Sequence, residues 1–141
     1  MTDAVSITVR PATIDDIAAL DRFIQPFIVQ ERLLPRTHDE LRELAEDGFI
    51  ALADGRIVGF AALEIYSTKL AEVRSLAVDP AYQRHGIGKA LVDACLSRAR
   101  ERHVFEVMAI TSSEEFFQKC GFNFTLPGEK KALFLQTRER Y

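Results

Sequence analysis

The first quarter of the chain predicts a short strand followed by an amphipathic helix. Residues 7–10 alternate between apolar and polar side chains and stop before Pro11, as a short strand does. Thr13 followed by Asp16 has the spacing of a helix capping box. We expect Pro26 to interrupt this helix. Its apolar positions recur at helical spacing: Ile14, Ile17, Leu20 and Ile24.

A second helix is predicted by another capping box, formed by Thr37 and Glu40. Gly48 is expected to end this helix, because glycine is common just after a helix C-terminus. The inward-facing positions of the helix are Leu41, Leu44 and Ala45.

A β-hairpin is predicted in the middle of the chain, where two apolar runs, 49–53 and 56–66, flank Asp54-Gly55. A two-residue type I′ turn needs positive φ at both positions, which Asp-Gly tolerates. A further strand is expected over roughly 71–78, ending at Asp79-Pro80.

The second half predicts two more helices and three more strands. A helix is expected from about Gly86 to Arg102, then a strand over 104–110. A third capping box, Ser112 with Glu115, predicts a last helix that stops at Gly121. Two final strands are expected over 122–126 and 132–137. The long helix has its predicted buried side at Ile87, Leu91, Ala94, Cys95 and Ala99.

The predicted order is therefore β-α-α-β-β-β-α-β-α-β-β, a single mixed α/β sheet of about seven strands with about four helices. The chain has 141 residues, 48% hydrophobic and 28% charged, which favours one globular domain over 1–141. A net charge of −3 gives no indication of a nucleic-acid partner. No signal-like start and no apolar run of about 20 residues is visible, so we expect a cytoplasmic protein without a membrane partner.

Two cysteines, Cys95 and Cys120, show no metal-ligand spacing, and we expect free thiols and no metal site. His38, His85 and His103 do not form a catalytic pattern with them. We therefore expect no cysteine nucleophile and interpret Cys120 as a buried, inert thiol.

The most informative segment is the junction between the strand over 71–78 and the long helix. Backbone amides at a helix start are unsatisfied and lie at the positive end of the helix dipole. Glycines at 86 and 88 let an anion, typically a phosphate, approach those amides, and Arg84 and Lys89 add positive charge. The motif is neither a P-loop nor a dinucleotide fingerprint. Tight packing is the alternative explanation for the glycine pair.

Gln83-Arg84-His85-Gly86-Ile87-Gly88 resembles the [QR]-x-x-G-x-[GA] signature of the GNAT acetyltransferases, and residues 116–122 resemble that family's late helix ending in Gly-Phe. The resemblance implies the GNAT fold, with its mostly antiparallel sheet splayed between strands four and five. It also implies acetyl-CoA as co-substrate and leaves a homodimer open. In the family, the pyrophosphate lies on the glycine-loop amides and the pantetheine arm lies along the fourth strand. The implied cofactor-binding positions are Arg84, His85, Gly86, Ile87, Gly88 and Lys89 in the loop, and Leu76, Ala77 and Val78 in the strand.

Glu72 is the candidate general base, because some GNAT enzymes carry a catalytic glutamate at this place and an ammonium acceptor must lose a proton. Regular strand alternation predicts that Glu72 shares a face with Arg74, Leu76 and Val78. The alternative is that Glu72 only pairs with Arg74 or contacts solvent. A backbone amide of the same strand, that of Leu76 or Ala77, is the expected oxyanion donor.

Phe117 occupies the position at which many GNAT proteins place a tyrosine that protonates the departing thiolate. Phenylalanine cannot donate a proton, so the usual general acid is absent. Tyr66 and Tyr82 are the remaining phenols to consider, although the sequence does not position either one.

A narrower resemblance, to the acetyltransferase domain of N-acetylglutamate synthases, rests on residues 33–37, 71–78 and 126–134. It implies the α-amine of glutamate as acceptor and a role in arginine biosynthesis. Arg36 and Arg138 match that family's substrate-binding arginines, and Arg74 adds to the field, since guanidinium groups bind carboxylates in a bidentate manner. Arg140 stands where the family has a serine. Other small amines, a peptide N-terminus, a non-catalytic acetyl-CoA-binding module and a solvated C-terminal tail remain alternatives.

Overall fold

A computed structural model describes residues 6–124 and 133–137. The first half contains a strand, two helices and a hairpin: β1 (Ile7–Pro11), α1 (Ile17–Val29), α2 (His38–Ala45), β2 (Gly48–Ala53) and β3 (Arg56–Ile65). The second half contains β4 (Ala71–Val78), α3 (Ile87–Glu101), β5 (Val107–Met108) and α4 (Glu114–Lys119). This succession matches the first nine elements of the predicted order.

The sheet has the order β1-β2-β3-β4-β5, with antiparallel pairs throughout except for the parallel pair β4–β5. The prediction of a mixed, mostly antiparallel sheet is confirmed, as are the four helices. The Asp54-Gly55 turn has φ values of 50° and 78°, as a type I′ hairpin requires.

The prediction of seven strands is wrong for the described residues, which form five. Residues 122–124 and 133–137 are not strands, and the remainder of both predicted strands lies outside the described residues. After α4 the backbone turns at Gly121, with φ 98°. The Phe122 amide donates to the Phe117 carbonyl at 3.0 Å and the Gly121 amide to the Gln118 carbonyl at 3.0 Å. Because this Schellman cap uses the Phe122 amide, that amide closes α4 instead of starting a ladder.

Each face of the sheet has its own hydrophobic core. On one face, Leu63 and Val73 pack against α3, whose buried side includes Leu91 and Cys95. On the other face, Phe60 and its neighbours pack against α1 and α2 through Ile50, Ala62, Leu20, Ile24 and Leu41. Burial of one such side chain contributes roughly 1.5–3 kcal/mol. The predicted buried side of α3 is confirmed apart from Ala94, which is only half-buried.

Pro26 does not end α1, contrary to our prediction, because the helix continues to Val29. The proline lies on the exposed side of the last turn, where its missing N–H removes a single helical hydrogen bond. The buried face continues past it from Ile24 to Phe27. The helix therefore reaches far enough to place Phe27 beside the cleft described below.

The predicted C-terminus of α2 and the predicted N-terminus of α4 are also wrong. The α2 helix ends at Ala45, and Gly48 is the first residue of β2. A Cβ at Gly48 would lie 3.0 Å from the Phe60 ring and 3.1 Å from the Ala45 Cα, so this glycine serves close packing. The N-cap of α4 is Ser113 and makes no side-chain cap, so the predicted Ser112 box is wrong. The Thr37–Glu40 capping box is confirmed in both directions, at 2.8 and 3.1 Å.

A β-bulge in β4 changes which residues share a face of the sheet. Phe60 pairs with Ala77 and Ala62 pairs with Arg74, so Ala61 faces two residues of β4, Ser75 and Leu76. Ser75 has φ 57°, a left-handed backbone that is uncommon for a residue with a Cβ. The extra residue ends the regular alternation along the strand.

As a result, Leu76 and Val78 pack against the α3-side core, whereas Glu72 and Arg74 point to the α1–α2 side. The prediction that all four share one face is therefore wrong. The bulge separates backbone groups at one end of the strand from charged side chains at the other.

In the described part of the chain, no helix combines the length and apolar character needed to cross a bilayer.

We predict that Asp16→Asn lowers the free energy of unfolding at pH 7 by about 1–2 kcal/mol. The Asp16 carboxylate accepts from Arg10 at 2.8 and 2.9 Å and from the Thr13 amide at 2.7 Å. These hydrogen bonds, led by that of Arg10, lower the pKa of Asp16 from 3.8 to about 2. Since the folded-state pKa is the lower one, the stabilisation is present above about pH 3.8 and disappears as the pH falls through about 2.

Urea unfolding at pH 7, 4 and 2.5 measures this difference. Asp15→Asn is the matched control, because Asp15 is the exposed neighbour of Asp16. An equal loss for both variants, or a loss that does not shrink at low pH, contradicts the assignment.

Candidate active site

A cleft of about 1000 Å³ runs along the free edge of β4. It connects the segment after α1, the α1–α2 side of β4, the loop before α3 and the start of α4. The cleft therefore joins the glycine loop and the acidic residue of β4 into one continuous surface. Its lining includes Phe27, Arg36, Glu72, Arg74, Ser75, Leu76, Ala77, Val78, Arg84, Gly86, Gly88, Lys89, Phe116 and Phe117.

The edge of β4 is open because β5 is only two residues long. It pairs with Ala71 and Glu72 and then diverges, so the stretch from Val73 to Val78 borders the cleft. The predicted splay between strands four and five is therefore present. Backbone N–H and C=O groups on an unpaired edge are available to an extended ligand.

The alternation of hydrogen-bonded and non-hydrogen-bonded pairs between β3 and β4 indicates which backbone amides of β4 face the cleft. The Asp79 amide donates to the Val58 carbonyl at 2.8 Å, so Gly59 and Val78 are a non-hydrogen-bonded pair. The polar backbone groups of Val78 consequently point to the open edge, and those of Ala77 point to β3. Leu76 belongs to the bulge, where it and Ser75 lie opposite Ala61, and it lines the cleft. Of the two amides predicted as oxyanion donors, Leu76 is thus the better placed.

The loop before α3 contains two residues with a left-handed backbone. Arg84 and Gly86 both have φ 71°, and Gly86 is the N-cap of the 15-residue helix α3. Gln83, which precedes them, is extended. The free amides of the first turn of α3 lie at the positive end of the helix dipole, which favours an anion. A Cβ at Gly86 would meet no atom within 4 Å, so the requirement for glycine there is the positive φ.

Gly88 lies against α4, as the packing explanation of the glycine pair requires. A Cβ at this position would lie 3.1 and 3.2 Å from ring atoms of Phe116. The absent side chain therefore lets α4 approach α3, and the packing explanation holds for this glycine. It borders the cleft nonetheless.

The predicted cations of the loop differ in their surroundings. Arg84 lines the cleft and is exposed. Lys89 also lines it, but its ammonium group lies 2.9 Å from Asp93 one helical turn later, and this hydrogen bond raises the pKa of Lys89. His85 is exposed, is not part of the lining, and lies against the Tyr82 ring with a centroid separation of 6.4 Å.

Glu72 is buried on the α1–α2 side of β4, with 8% of its surface exposed. The Tyr66 hydroxyl donates to its carboxylate at 2.5 Å. Arg74 binds Glu64 at 2.6 Å and not Glu72, so the alternative of a Glu72–Arg74 ion pair is not what the structure has. Burial, followed by the hydrogen bond to Glu72, raises the pKa of Tyr66 to about 12.

Arg36 lies across the cleft on the segment that leads into α2 and is half-buried. Burial, and then the positive charge of Arg74, lower the pKa of Arg36, while Glu64 and Glu40 act in the opposite direction. Among the described residues, no carboxylate lies within 4.0 Å of its guanidinium group. Two neighbouring guanidinium groups thus border one cavity.

Phe117, which occupies the position of the family's usual tyrosine, is buried in an aromatic cluster. Phe117 packs edge-on against Phe116 and Phe122, with ring centroids 5.1 and 5.3 Å apart. It borders the cleft without offering a proton. Arg138, Arg140 and most of the 126–134 passage lie outside the described residues.

Glu64 and the contact between Tyr66 and Glu72 are features of the site that were not predicted from the sequence. The signal was present in the hairpin, because pairing Ile65 with Ala71 places Glu64 opposite Glu72 and Tyr66 just beyond.

The cysteines are both free, and burial raises the pKa of Cys95 to about 12, so this thiol is unreactive. Cys120 is only half-buried, not buried as predicted. No group of three metal-ligating side chains occurs within the described ranges.

Comparison with known proteins gives a consistent picture. A family model described as the acetyltransferase (GNAT) family matches residues 14–122. An amino-acid acetyltransferase of Mycobacterium tuberculosis is 34% identical over 117 residues, which cover 81% of this chain and 67% of that protein.

Two solved structures are similar and were determined with CoA. A Mycobacterium tuberculosis protein in complex with CoA and a second ligand has a TM-score of 0.76 and 33% identity, covering 84% of this chain and 72% of that one. N-acetylglutamate synthase from Neisseria gonorrhoeae, complexed with coenzyme A and N-acetyl-glutamate, has a TM-score of 0.73 and 28% identity. The match covers 83% of this chain and 28% of that longer chain.

We predict that Gly88→Ala destabilises the protein by about 1–3 kcal/mol through contact with the Phe116 ring. In a Phe116→Leu background the same change should cost less, because the ring atoms are gone. Thermal or urea unfolding of the four proteins in this double-mutant cycle measures the difference. An unchanged cost of Gly88→Ala in the Phe116→Leu background contradicts the packing role.

Proposed function

We propose a function from one premise, that this chain belongs to the GNAT family of acetyltransferases. It is therefore an acetyl-CoA-dependent N-acetyltransferase. We propose further that it acetylates the α-amine of glutamate, as an N-acetylglutamate synthase of arginine biosynthesis does. The observation that carries this proposal is a pair of guanidinium groups, Arg36 and Arg74, that border the same cleft as the buried carboxylate of Glu72.

The residues of the cleft fit acetyl-CoA. The left-handed Arg84 and Gly86 orient amides for a pyrophosphate, and Arg84 supplies a cation beside them. The open backbone edge at Leu76 and Val78 suits the amide groups of a pantetheine arm, which is extended and carries both donors and acceptors. A cleft of about 1000 Å³ is large enough for both substrates at once.

In the proposed mechanism, bound acetyl-CoA supplies an electrophilic thioester carbonyl at the bulge in β4. Leu76 lines the cleft at this point, and its amide is the proposed donor that stabilises negative charge on the carbonyl oxygen. Glu72 removes a proton from the ammonium group of the acceptor, which leaves the amine free to attack. The nitrogen bonds to the carbonyl carbon, the C–S bond breaks, and the departing thiolate takes up the proton that the acetylated nitrogen releases, so the products are the amide and free CoA. Phe117 only shields the cleft from water on the side of α4.

Arg36 is the proposed anchor for a carboxylate of the acceptor. Its guanidinium group lacks a carboxylate within 4.0 Å among the described residues, whereas Arg74 already binds Glu64. Two half-buried cations disfavour a polyamine, which would bring further positive charge into the cavity. A dicarboxylic amino acid relieves this repulsion and leaves its α-amine free for Glu72. Arg138 remains a candidate second anchor from the sequence.

We predict that Arg36→Ala raises KM for glutamate by roughly 30-fold or more, because a charge-assisted hydrogen bond contributes about 2 kcal/mol. KM for acetyl-CoA should change less than about twofold, since Arg36 lies away from the glycine loop. Steady-state release of free CoA, followed with a thiol reagent, measures both constants.

Arg22→Ala is the matched control, because Arg22 is an exposed arginine of α1 that does not line the cleft. Arg36→Lys should restore activity only in part, since a lysine lacks the planar fork. An unchanged KM for glutamate in Arg36→Ala would remove Arg36 from the acceptor site.

We predict that Glu72→Gln lowers kcat by roughly 10²–10⁴-fold, the range attributed to general base catalysis. Glutamine keeps the size of the side chain and can still accept from Tyr66, so the fold should be preserved. Isothermal titration with CoA should give a dissociation constant equal to that of the wild type. A variant with full kcat would show that the proton leaves by another route.

A further inference from the structure

We propose that Glu64 and Tyr66 are positioning residues that keep Glu72 available as a base. Glu64 holds the Arg74 guanidinium group away from Glu72, and Tyr66 holds the Glu72 carboxylate with a neutral donor. This inference rests on the proposed role of Glu72 as the base. It gives Glu64 a role in the site, and it gives Tyr66 a role other than that of the general acid considered from the sequence.

The starting point is a pair of carboxylates on one face of the sheet. Glu64 of β3 lies directly opposite Glu72 of β4 in the ladder. Like charges in this relation destabilise a sheet, so a hairpin built for stability alone would avoid them. The shortest contact of Glu64 is with Arg74 and that of Glu72 is with Tyr66, which separates the roles of the two carboxylates.

Arg74 lies two residues beyond Glu72 on the same strand and could reach either carboxylate from that face. Its Nη1 lies 2.6 Å from Oε2 of Glu64, and it forms no ion pair with Glu72 within 4.0 Å. The bond to Glu64 is the main reason that the pKa of Arg74 is raised. Without Glu64, the guanidinium group would turn to Glu72 as the remaining carboxylate. A carboxylate held by a guanidinium is a weaker base toward an ammonium group.

Tyr66 supplies a different kind of contact. Its hydroxyl lies 2.5 Å from Oε1 of Glu72 and 3.4 Å from Oε2 of Glu64. The Tyr66 amide donates to the Leu70 carbonyl at 3.0 Å, so the hairpin turn fixes the backbone below the ring. With a pKa of about 12, the phenol remains a neutral donor throughout the range of an activity assay. It orients the carboxylate without neutralising it.

The charged groups that face this cluster come from two parts of the chain. Glu64, Tyr66 and Arg74 lie on the hairpin, and Arg36 faces it from the segment before α2. Glu40 of α2 acts on Arg36 from farther away. The neighbour of Glu72 on β5 is Met108, which carries no charge.

The test compares Glu64→Gln and Tyr66→Phe through the pH dependence of kcat/KM. In Glu64→Gln, Arg74 turns to Glu72, so the acidic limb should move to lower pH and the plateau of kcat should fall roughly tenfold. In Tyr66→Phe, Glu72 loses its donor, so the acidic limb should move to higher pH. If either residue had a purely structural role, the acidic limbs of the two variants' pH profiles would not move in opposite directions.

Glu43→Gln, on the exposed side of α2, is the matched control and should leave the profile unchanged. Circular dichroism and CoA binding establish that each variant is folded. Limbs that coincide, or that move in the same direction, overturn the inference. Failure of the proposed function is distinguishable, because it would appear as full activity in Glu72→Gln or as inactivity of the wild type toward glutamate.

Discussion

Strand β4 has one extra residue at the point where it passes Ala61 of β3, and the left-handed Ser75 in this bulge determines the layout of the site. A non-glycine residue in this conformation costs about 1–3 kcal/mol, which the surrounding ladder must offset. The extra residue shifts the side-chain alternation, so Leu76 and Val78 face the α3 side while Glu72 and Arg74 remain on the α1–α2 side. The backbone edge of β4 that faces away from β3 borders the cleft. Since β5 pairs with only the first two residues of β4, nothing in the described sheet covers that edge.

Charge within the cleft is opposite in sign to that of the whole chain. The net charge is −3, yet the cleft has Arg84 beside the glycine loop and Arg36 with Arg74 at its other end. This arrangement suits two anionic substrates that must meet end to end. Low-dielectric walls focus such local fields more strongly than the net charge suggests. Glu72 is the buried acidic residue between them and is held by a neutral phenol.

Local signals in the sequence predicted most of the fold. The Thr37–Glu40 box, the Asp54-Gly55 turn and the apolar stripe of α3 all depend on neighbours within a few residues, and the structure has each of them. The glycine loop was recognisable for the same reason. Local signals could not reveal why residue 88 is a glycine, because its close approach to Phe116 joins residues 28 positions apart.

What the sequence could not reveal depends on register and on partners distant along the chain. The alternation of residues 71–78 looks regular, and only pairing with β3 exposes the bulge. The link between Tyr66 and Glu72 likewise requires the hairpin register. The apolar run over 104–110 predicted a full strand, yet only Val107 and Met108 join the sheet, because the chain leaves β4 at the splay.

The most direct measurement is a competition among acceptors. The wild-type chain is incubated with acetyl-CoA and an equimolar mixture of the twenty amino acids with spermidine and a short peptide, and the acetylated products are identified by mass spectrometry. Two guanidinium groups bordering the acceptor end of the cleft predict that α-N-acetylglutamate dominates the products. Acetylation of spermidine, of the peptide or of a neutral amino acid while glutamate remains unmodified would contradict the proposed acceptor.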